Sequence, residues 1–547
     1  MSVTTWNTLL RYLQFTGFAI IAVAIPFSNF FMSFGMFWLA GAVMLQVSTD
    51  VVRGQSLAPR WKQFTSNSTA VALTILFLLP LVGLLWTTHY EYALWDVRMK
   101  LPLLVLPLLI SLSHPITQGQ FRALVGLYVL AVVLAVVWCL QVYWMGSPEI
   151  DRDVRKISVF ISHVRFSLLI ALALGLAVRF AYDSAKGRVF IVLYALPCIY
   201  FIYIIGSITG AVVLAALCFW MILRLAIQQK TVWMRFAMLA LLIAAMAVVS
   251  VFVTKSYTQY FSVQPINWNT IEKTTPRGEL YDHHPDFLFV EEGHYVMTYV
   301  AWGEMYDAWY DISTVHLDSL DGRGHPLKGT LIRYLASKEL RKDADGVAAL
   351  DASEVRAIEL GVPTCTDARE QGLRKRLNRI FFEWSNYRAG GDPDGHSIIQ
   401  RWEFWKTAAH IIRNNFWIGV GTGDVKEAFR DAYAENESPL NNAYRLRAHN
   451  QYLTMWLTYG IGGVILFLLV VFFPVMKSQR RDSLTVMIVL LVSLSFITED
   501  TLESQAGVMF MAFFYTLFTA KRALSLEELR SPKSKAKHLS GDAPLHK

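Results

Sequence analysis

The sequence predicts an all-α polytopic membrane protein with about twelve transmembrane helices and one large, mainly helical loop domain ahead of the last three. Three observations predict it. Only 17% of the 547 residues are charged and 54% are hydrophobic, whereas soluble domains carry about 25% charged residues. Apolar runs of bilayer length recur along the chain, and a hydrocarbon core of roughly 30 Å needs about 20 such residues per helix. Much of the excess charge of +8 sits in short connectors between those runs, as the positive-inside rule places it.

In chain order, spans are expected near 11–27, 31–48, 70–87, 101–114, 122–145, 160–181, 188–205, 208–226, 233–254, 451–474, 483–498 and 505–521. A turn near Gly206 and Ser207 separates the seventh from the eighth. Arg53, Arg60 and Lys62 follow the second span, and Lys186 and Arg188 follow the sixth. Lys230 and Arg235 flank the start of the ninth, and Lys477, Arg480 and Arg481 follow the tenth. Under a twelve-helix count all of these share one side, which is therefore expected to be cytoplasmic, with both termini. The first apolar segment lacks a small-residue cleavage site and reads as a retained helix. Four regions result: a membrane bundle of about nine helices at 1–254, a loop domain at 255–450, C-terminal membrane helices at 451–521 and a disordered cytoplasmic tail at 522–547. The loop domain then faces the periplasm of a Gram-negative inner membrane.

The loop has helical periodicity with proper stops. Residues 327–342 read as an amphipathic helix carrying Leu331, Leu335 and Leu340. Asp351 with Glu354 has capping-box spacing, and Gly361-Val362-Pro363 ends that helix. A third helix is expected at 397–414. Tyr257, Tyr260, Phe261 and Trp268 crowd the border as interfacial aromatics do. Of four cysteines only Cys365 lies in the loop, so no disulfide framework is expected. No basic stripe with interleaved aromatics calls for nucleic acid.

Chemistry concentrates where the loop re-enters the membrane. Arg445, Arg447 and His449 precede Asn450-Gln451-Tyr452 and an apolar run containing Gly460, Gly462 and Gly463. Histidine titrates near neutrality and can serve there as a general base; its plainer reading is a helix cap. Arg401, in Gln400-Arg401-Trp402-Glu403-Phe404-Trp405, suits a bidentate grip on phosphate; its plainer reading is an interfacial arginine. Gly419-Val420-Gly421-Thr422-Gly423 lacks the Gly-Lys-Ser/Thr ending of a P-loop and reads as a turn. His163-Val164-Arg165 opens the sixth span, where a cation is costly unless it meets water or a counter-ion. Glu499-Asp500-Thr501-Leu502-Glu503 joins the last two spans. A solvated hairpin is its simplest reading; the other is that its carboxylates orient the histidine or pair with the arginines. No metal is expected: His283-His284-Pro285-Asp286 with His294 fits no standard ligand spacing, and Asp392-Pro393-Asp394, although it resembles the acidic pair with which many sugar transferases hold a metal, lies in a Gly-rich turn.

Taken in order, Arg165, Gly206-Ser207-Ile208-Thr209-Gly210, Arg401 to Trp405 with the glycine turn, His449-Asn450-Gln451-Tyr452-Leu453 with Tyr459-Gly460-Ile461-Gly462-Gly463, and Thr498-Glu499-Asp500 running to Gln505-Ala506-Gly507 resemble the O-antigen ligase family. The resemblance covers roughly residues 70–520, and its most specific element is the His-Asn segment with its glycines. It implies a metal-independent, inverting glycosyltransferase without cofactor. The donor would be a glycan on undecaprenyl diphosphate, and the acceptor a hydroxyl of a lipid A–core sugar. Arg165 and Arg401 would bind the diphosphate and His449 would be the base, with Arg445, Arg447, Glu499 and Glu503 as supporting residues. The loop from about 255 to 395 is longer than the family's usual insertion. An O-antigen polymerase or a protein O-oligosaccharyltransferase shares the same logic. A transporter or flippase is the reading from another class, but it lacks the paired interrupted helices expected of one.

Overall fold

The computed structural model describes residues 2–146, 154–182, 184–263, 265–284, 289–369, 373–477 and 483–519. The expected tail at 522–547, Asp286, Arg480 and Arg481 lie outside them.

Helices dominate. The first half comprises α1 (Val3–Ala24), α2 (Asn29–Val52), α3 (Ala58–Ser66), α4 (Ser68–Val82), α5 (Tyr90–Lys100), α6 (Pro102–Leu112), α7 (Gln118–Met145), α8 (His163–Ala181), α9 (Ala185–Ile205), α10 (Ile208–Gln228) and α11 (Val232–Phe261). The second half adds a two-residue hairpin, β1 (Val290–Glu291) and β2 (His294–Tyr295), then α12 (Trp302–Ile312), α13 (Leu327–Ser337), α14 (Ala344–Ala348), α15 (Ala352–Glu359) and α16 (Cys365–Arg369). It closes with α17 (Leu373–Arg388), α18 (Ser397–Asn414), α19 (Val425–Glu435), α20 (Gln451–Lys477), α21 (Ser483–Thr498) and α22 (Gln505–Phe510), which runs on through one π-helical turn to Thr519.

Among the described residues, eight helices are long and apolar enough to cross a membrane: α2, α4 with its short extension, α7 to α11, and α20. The other four expected spans are helical too, but α1 carries Arg11 and Gln14, and α6, α21 and α22 are short. The expected turn is present: Gly206 takes a left-handed φ of 61° and the Ser207 hydroxyl accepts from the Gly210 amide at 3.1 Å, capping α10. The Asp351–Glu354 capping box also forms, and α18 occupies the expected 397–414.

Three apolar cores are present among the described residues. One fills the membrane bundle. A second gathers Val296 and Val300, which follow β2, and α12 to α15 around the fully buried Trp309. The third joins α18 and α19 to Leu457 of α20, so this part of the loop domain packs directly on a membrane helix. Between them stands α17. Its Phe381 meets Tyr257, Tyr260 and Phe261 of α11 edge-on or tilted, with ring centroids 5.4–5.9 Å apart. The neighbouring Phe382 points elsewhere, beneath the Arg333 guanidinium at 4.0 Å. Arg333 in turn grips Glu291 with two bonds of 2.6 and 2.7 Å. The aromatics expected at a membrane interface therefore serve partly as the seat of the loop domain.

The glycine segments explain each other. In α20, Gly460 adopts φ 66° and ψ −167°, which breaks the helix. That break frees backbone groups that must find partners inside a membrane. The segment 416–421 supplies them: Val420 and Gly421 donate to the carbonyls of Leu457 and Thr458 at 2.9 and 3.0 Å, and Ile461 donates to Phe416 at 2.9 Å. A Cβ on Gly419 or Gly460 would strike the opposing backbone. The run is a packing device, consistent with a turn and not a phosphate cradle.

Candidate active site

The site forms where α8, α18, the start of α20 and the turn after α21 meet. Each element sets its functional side chain by ordinary means. At α18, the fully buried Glu383 carboxylate of α17 accepts the Ile398 amide at 2.9 Å, satisfying a donor that every helix start leaves free. One turn later, Arg401, Phe404 and Trp405 share a face by their i, i+3, i+4 spacing. The Trp405 indole donates to the Ala448 carbonyl at 3.0 Å, and the Phe404 ring lies 5.7 Å from the His449 ring, centroid to centroid.

His449 has a positive φ of 46°, uncommon for a residue with a side chain. Its backbone is held from three sides. Asp500 accepts the His449 and Asn450 amides at 3.0 and 2.9 Å and the Thr454 hydroxyl at 2.8 Å. Asn450 caps α20 by accepting from Leu453 at 3.1 Å and donates to the Ile497 carbonyl at 3.1 Å. Gln451, fully buried, accepts from the Leu502 amide at 2.7 Å. The His-Asn-Gln run thus clamps the turn after α21, while the half-buried imidazole takes part in no hydrogen bond among the described residues.

The two sequence-predicted arginines converge on one carboxylate. Arg165, in the first turn of α8, lies 3.9 Å from one Glu499 oxygen, and Arg401 lies 3.5 Å from the other. Both Nε atoms are buried without a hydrogen-bond partner among the described residues. Glu499 and Asp500 are only 7% and 6% exposed, so the 499–503 segment is not the solvated hairpin that its sequence most simply suggests. Neighbours in sequence, these two carboxylates tie the arginines to the histidine segment.

Arg447 and Glu503 form a second cluster, with Arg447 also within the field of Asp500. Arg447 donates to Glu503 at 3.1 Å and to the Tyr92 hydroxyl at 2.9 Å; Lys100 bridges Glu503 at 2.9 Å and Asp96 at 2.7 Å. Burial raises the Glu503 carboxyl, but Lys100 and Arg447 outweigh it and leave it below its ordinary range. Arg445 turns back to the carbonyls of Leu440 and Ser438 at 2.9 and 3.3 Å and organises its own loop.

Sequence reasoning missed Arg376 and Glu383. The signal was the density of basic residues at Arg374, Lys375, Arg376 and Arg379, which reads as a solvated face until α17 is seen wedged between α11 and α18. Arg376 donates to the Ser397 hydroxyl at 2.7 Å, and Arg401 donates to the Ser397 carbonyl at 3.3 Å. Burial lowers the Arg376 guanidinium below its ordinary value; Glu383 opposes this, and Arg379, Arg155 and Arg401 add to it.

A cavity of about 150 Å³ lies at Arg165, bounded by Asn29, Phe160, Ser504 and Gln505. Asn29, Ser504 and Gln505 also border a groove of about 590 Å³ with an apolar wall of Met36, Phe37 and Trp95. Of the weak metal candidates, His283 is engaged by the Glu272 carbonyl and the Tyr299 amide at 2.9 and 3.1 Å, and Asp394 accepts the Asn441 amide at 3.2 Å.

Fold and site together define a multi-pass, all-α membrane protein with a half-buried cationic site beside a strained histidine. The family can be stated more closely: residues 368–468 match the family described as O-antigen ligase, which bears out the resemblance read in the sequence over that stretch. The match holds Arg376, Arg401 and His449, while Arg165 and Glu499 lie outside it. In general terms, that family implies an enzyme transferring lipid-linked glycans. No curated protein matches the chain.

Proposed function

We propose that the chain is an O-antigen ligase-type glycosyltransferase acting at the periplasmic face of the inner membrane. In this reading the helices make twelve spans and the loop domain is periplasmic. The donor is a glycan on undecaprenyl diphosphate, and the acceptor is a lipid A–core sugar hydroxyl. His449 takes the acceptor proton as the hydroxyl oxygen bonds to the anomeric carbon from the face opposite the diphosphate. The carbon–oxygen bond to the diphosphate breaks, and the leaving group departs with the electron pair. Inversion follows from that in-line geometry. Arg165 and Arg401 stabilise the charge that develops on the leaving group, the kind of preorganised electrostatics that contributes most in a water-poor site. The base contributes roughly 10²–10⁴-fold. The polyprenyl chain enters along the apolar wall of Met36, Phe37 and Trp95.

The observation that carries this reading is the convergence of Arg165 and Arg401 on Glu499, one residue from the carboxylate that holds His449. The test is lipopolysaccharide gel profiling of a deletion strain complemented with wild type or His449→Ala. Wild type should restore the high-molecular-weight ladder and the variant should not, with both present in the inner membrane. A ladder independent of this gene would remove the lipid A–core acceptor, and periplasmic glycoproteins or polymer length would then be profiled.

A further inference from the structure

The two arginines that meet at Glu499 are part of a longer row. Arg401 donates to the Ser397 carbonyl at 3.3 Å, and Arg376, from the neighbouring helix α17, donates to the hydroxyl of that same Ser397 at 2.7 Å. Contacts therefore run without interruption from Arg165 through Glu499 to Arg401, and through Ser397 to Arg376. All three guanidiniums are half-buried, and the Nε atoms of Arg165 and Arg401 are buried with no hydrogen-bond partner among the described residues. Like charges crowd together only where an anion compensates them. Here Glu499 faces Arg165 and Arg401 at 3.9 and 3.5 Å, longer than a charge-assisted hydrogen bond of about 2.7–2.9 Å. Glu383, the carboxylate near Arg376, accepts the Ile398 amide of α18 with one oxygen and faces Arg379 at 3.4 Å with the other. Two loosely opposed guanidiniums suffice for a single phosphate. A third, reached through Ser397, extends the row.

We infer that Arg376 is a third anion-binding residue of this site, giving it reach for both phosphates of a diphosphate. The inference rests on the proposed reading of Arg165 and Arg401 as the diphosphate pair. It distinguishes a diphosphate from a monophosphate: Arg165 and Arg401 hold the first phosphate in either case, and Arg376 engages only the second.

The probes are inorganic pyrophosphate and inorganic phosphate, titrated against the purified full chain in detergent by calorimetry. Wild type should bind pyrophosphate more tightly than phosphate. Arg376→Gln should weaken pyrophosphate by about tenfold or more, the loss expected for a charge-assisted hydrogen bond, and leave phosphate unchanged. Arg401→Gln should weaken both. If Arg376→Gln binds pyrophosphate as wild type does while Arg401→Gln does not, the role of Arg376 is overturned and the two-arginine site stands. If wild type binds neither anion, the diphosphate reading itself fails, and this inference with it. Should Arg376→Gln fail to fold, Arg376→Lys carries the test. It keeps the charge without the planar fork, so a partial loss for pyrophosphate supports the assignment and no loss overturns it.

Discussion

The Asp500 carboxylate accepts the backbone amide of His449 at 3.0 Å, across 51 residues of chain. It also accepts the Asn450 amide and the Thr454 hydroxyl, so both of its buried oxygens are engaged by donors. Asp500→Asn turns an amide NH₂ toward those donors. The cost of an unsatisfied buried group is about 1–3 kcal/mol, which should appear as a lower unfolding temperature of the purified protein. Released from this grip, the strained His449 backbone relaxes and the imidazole shifts. A misplacement of about 1 Å can cost roughly 10²-fold in rate. Turnover should fall by about that factor while the donor KM stays near wild type. An equal loss in binding would sink the positioning role.

Glu499 is the counter-ion of Arg165 and Arg401. Removing its charge in Glu499→Gln leaves more positive potential for an incoming anion. Pyrophosphate binding should tighten by up to about fivefold, the range of a partly exposed ion pair, and grow more sensitive to salt. Weaker binding in the variant would mean that Glu499 orients the guanidiniums more than it competes with the ligand.

Two glycines of one motif should behave oppositely. Gly460 combines a positive φ with backbone contact at Trp417, so Gly460→Ala adds strain and a clash. Strain alone costs about 1–3 kcal/mol, and poor yield of folded protein is expected. Gly462 faces open space, and Gly462→Ala should be neutral or stabilising by about 0.5–1 kcal/mol. Size-exclusion profiles and unfolding temperatures of the two variants make the comparison.

Glu292 links stability to pH. Burial raises its carboxyl, with Thr366 opposing, Glu291 assisting and Asn378 opposing, to about 7. The unfolded chain releases that proton near the ordinary glutamate value, about 4.3. Between these values the folded state binds more protons than the unfolded state. Its contribution is therefore complete below about pH 4 and is lost as pH rises through about 7. The unfolding temperature of wild type relative to Glu292→Gln should fall across that window. Parallel curves for the two proteins would refute the assignment.

Much of this was legible in the sequence, for identifiable reasons. Bilayer thickness imposes a length on apolar runs, so every expected span coincides with a helix. The capping box at Asp351 and the turn at Gly206 and Ser207 are local chemistry and readable directly. The helix α5 was not, because Asp96, Arg98 and Lys100 interrupt hydrophobicity; its charges are tolerated through the i,i+4 pair of Asp96 with Lys100 and the distant Glu503. Arg447 looked like a partner for the site arginines because sequence proximity to His449 is all a linear reading offers. In space its hydrogen bonds go to Glu503 and Tyr92, and it feels the charge of Asp500. The role of Arg376 depends on α17 lying against α18, and no local pattern encodes that packing.

The seat of the loop domain has a consequence for how such a chain can vary. The segment leaving α11 and the segment entering α17 are held side by side, with Gln259 bonded to Arg374 at 3.1 Å and three aromatics of α11 around Phe381. Everything between 262 and 372 begins and ends at one doorway. A segment joined to the rest at one doorway can change in length while Arg165 stays on α8, Arg376 on α17 and Arg401 on α18.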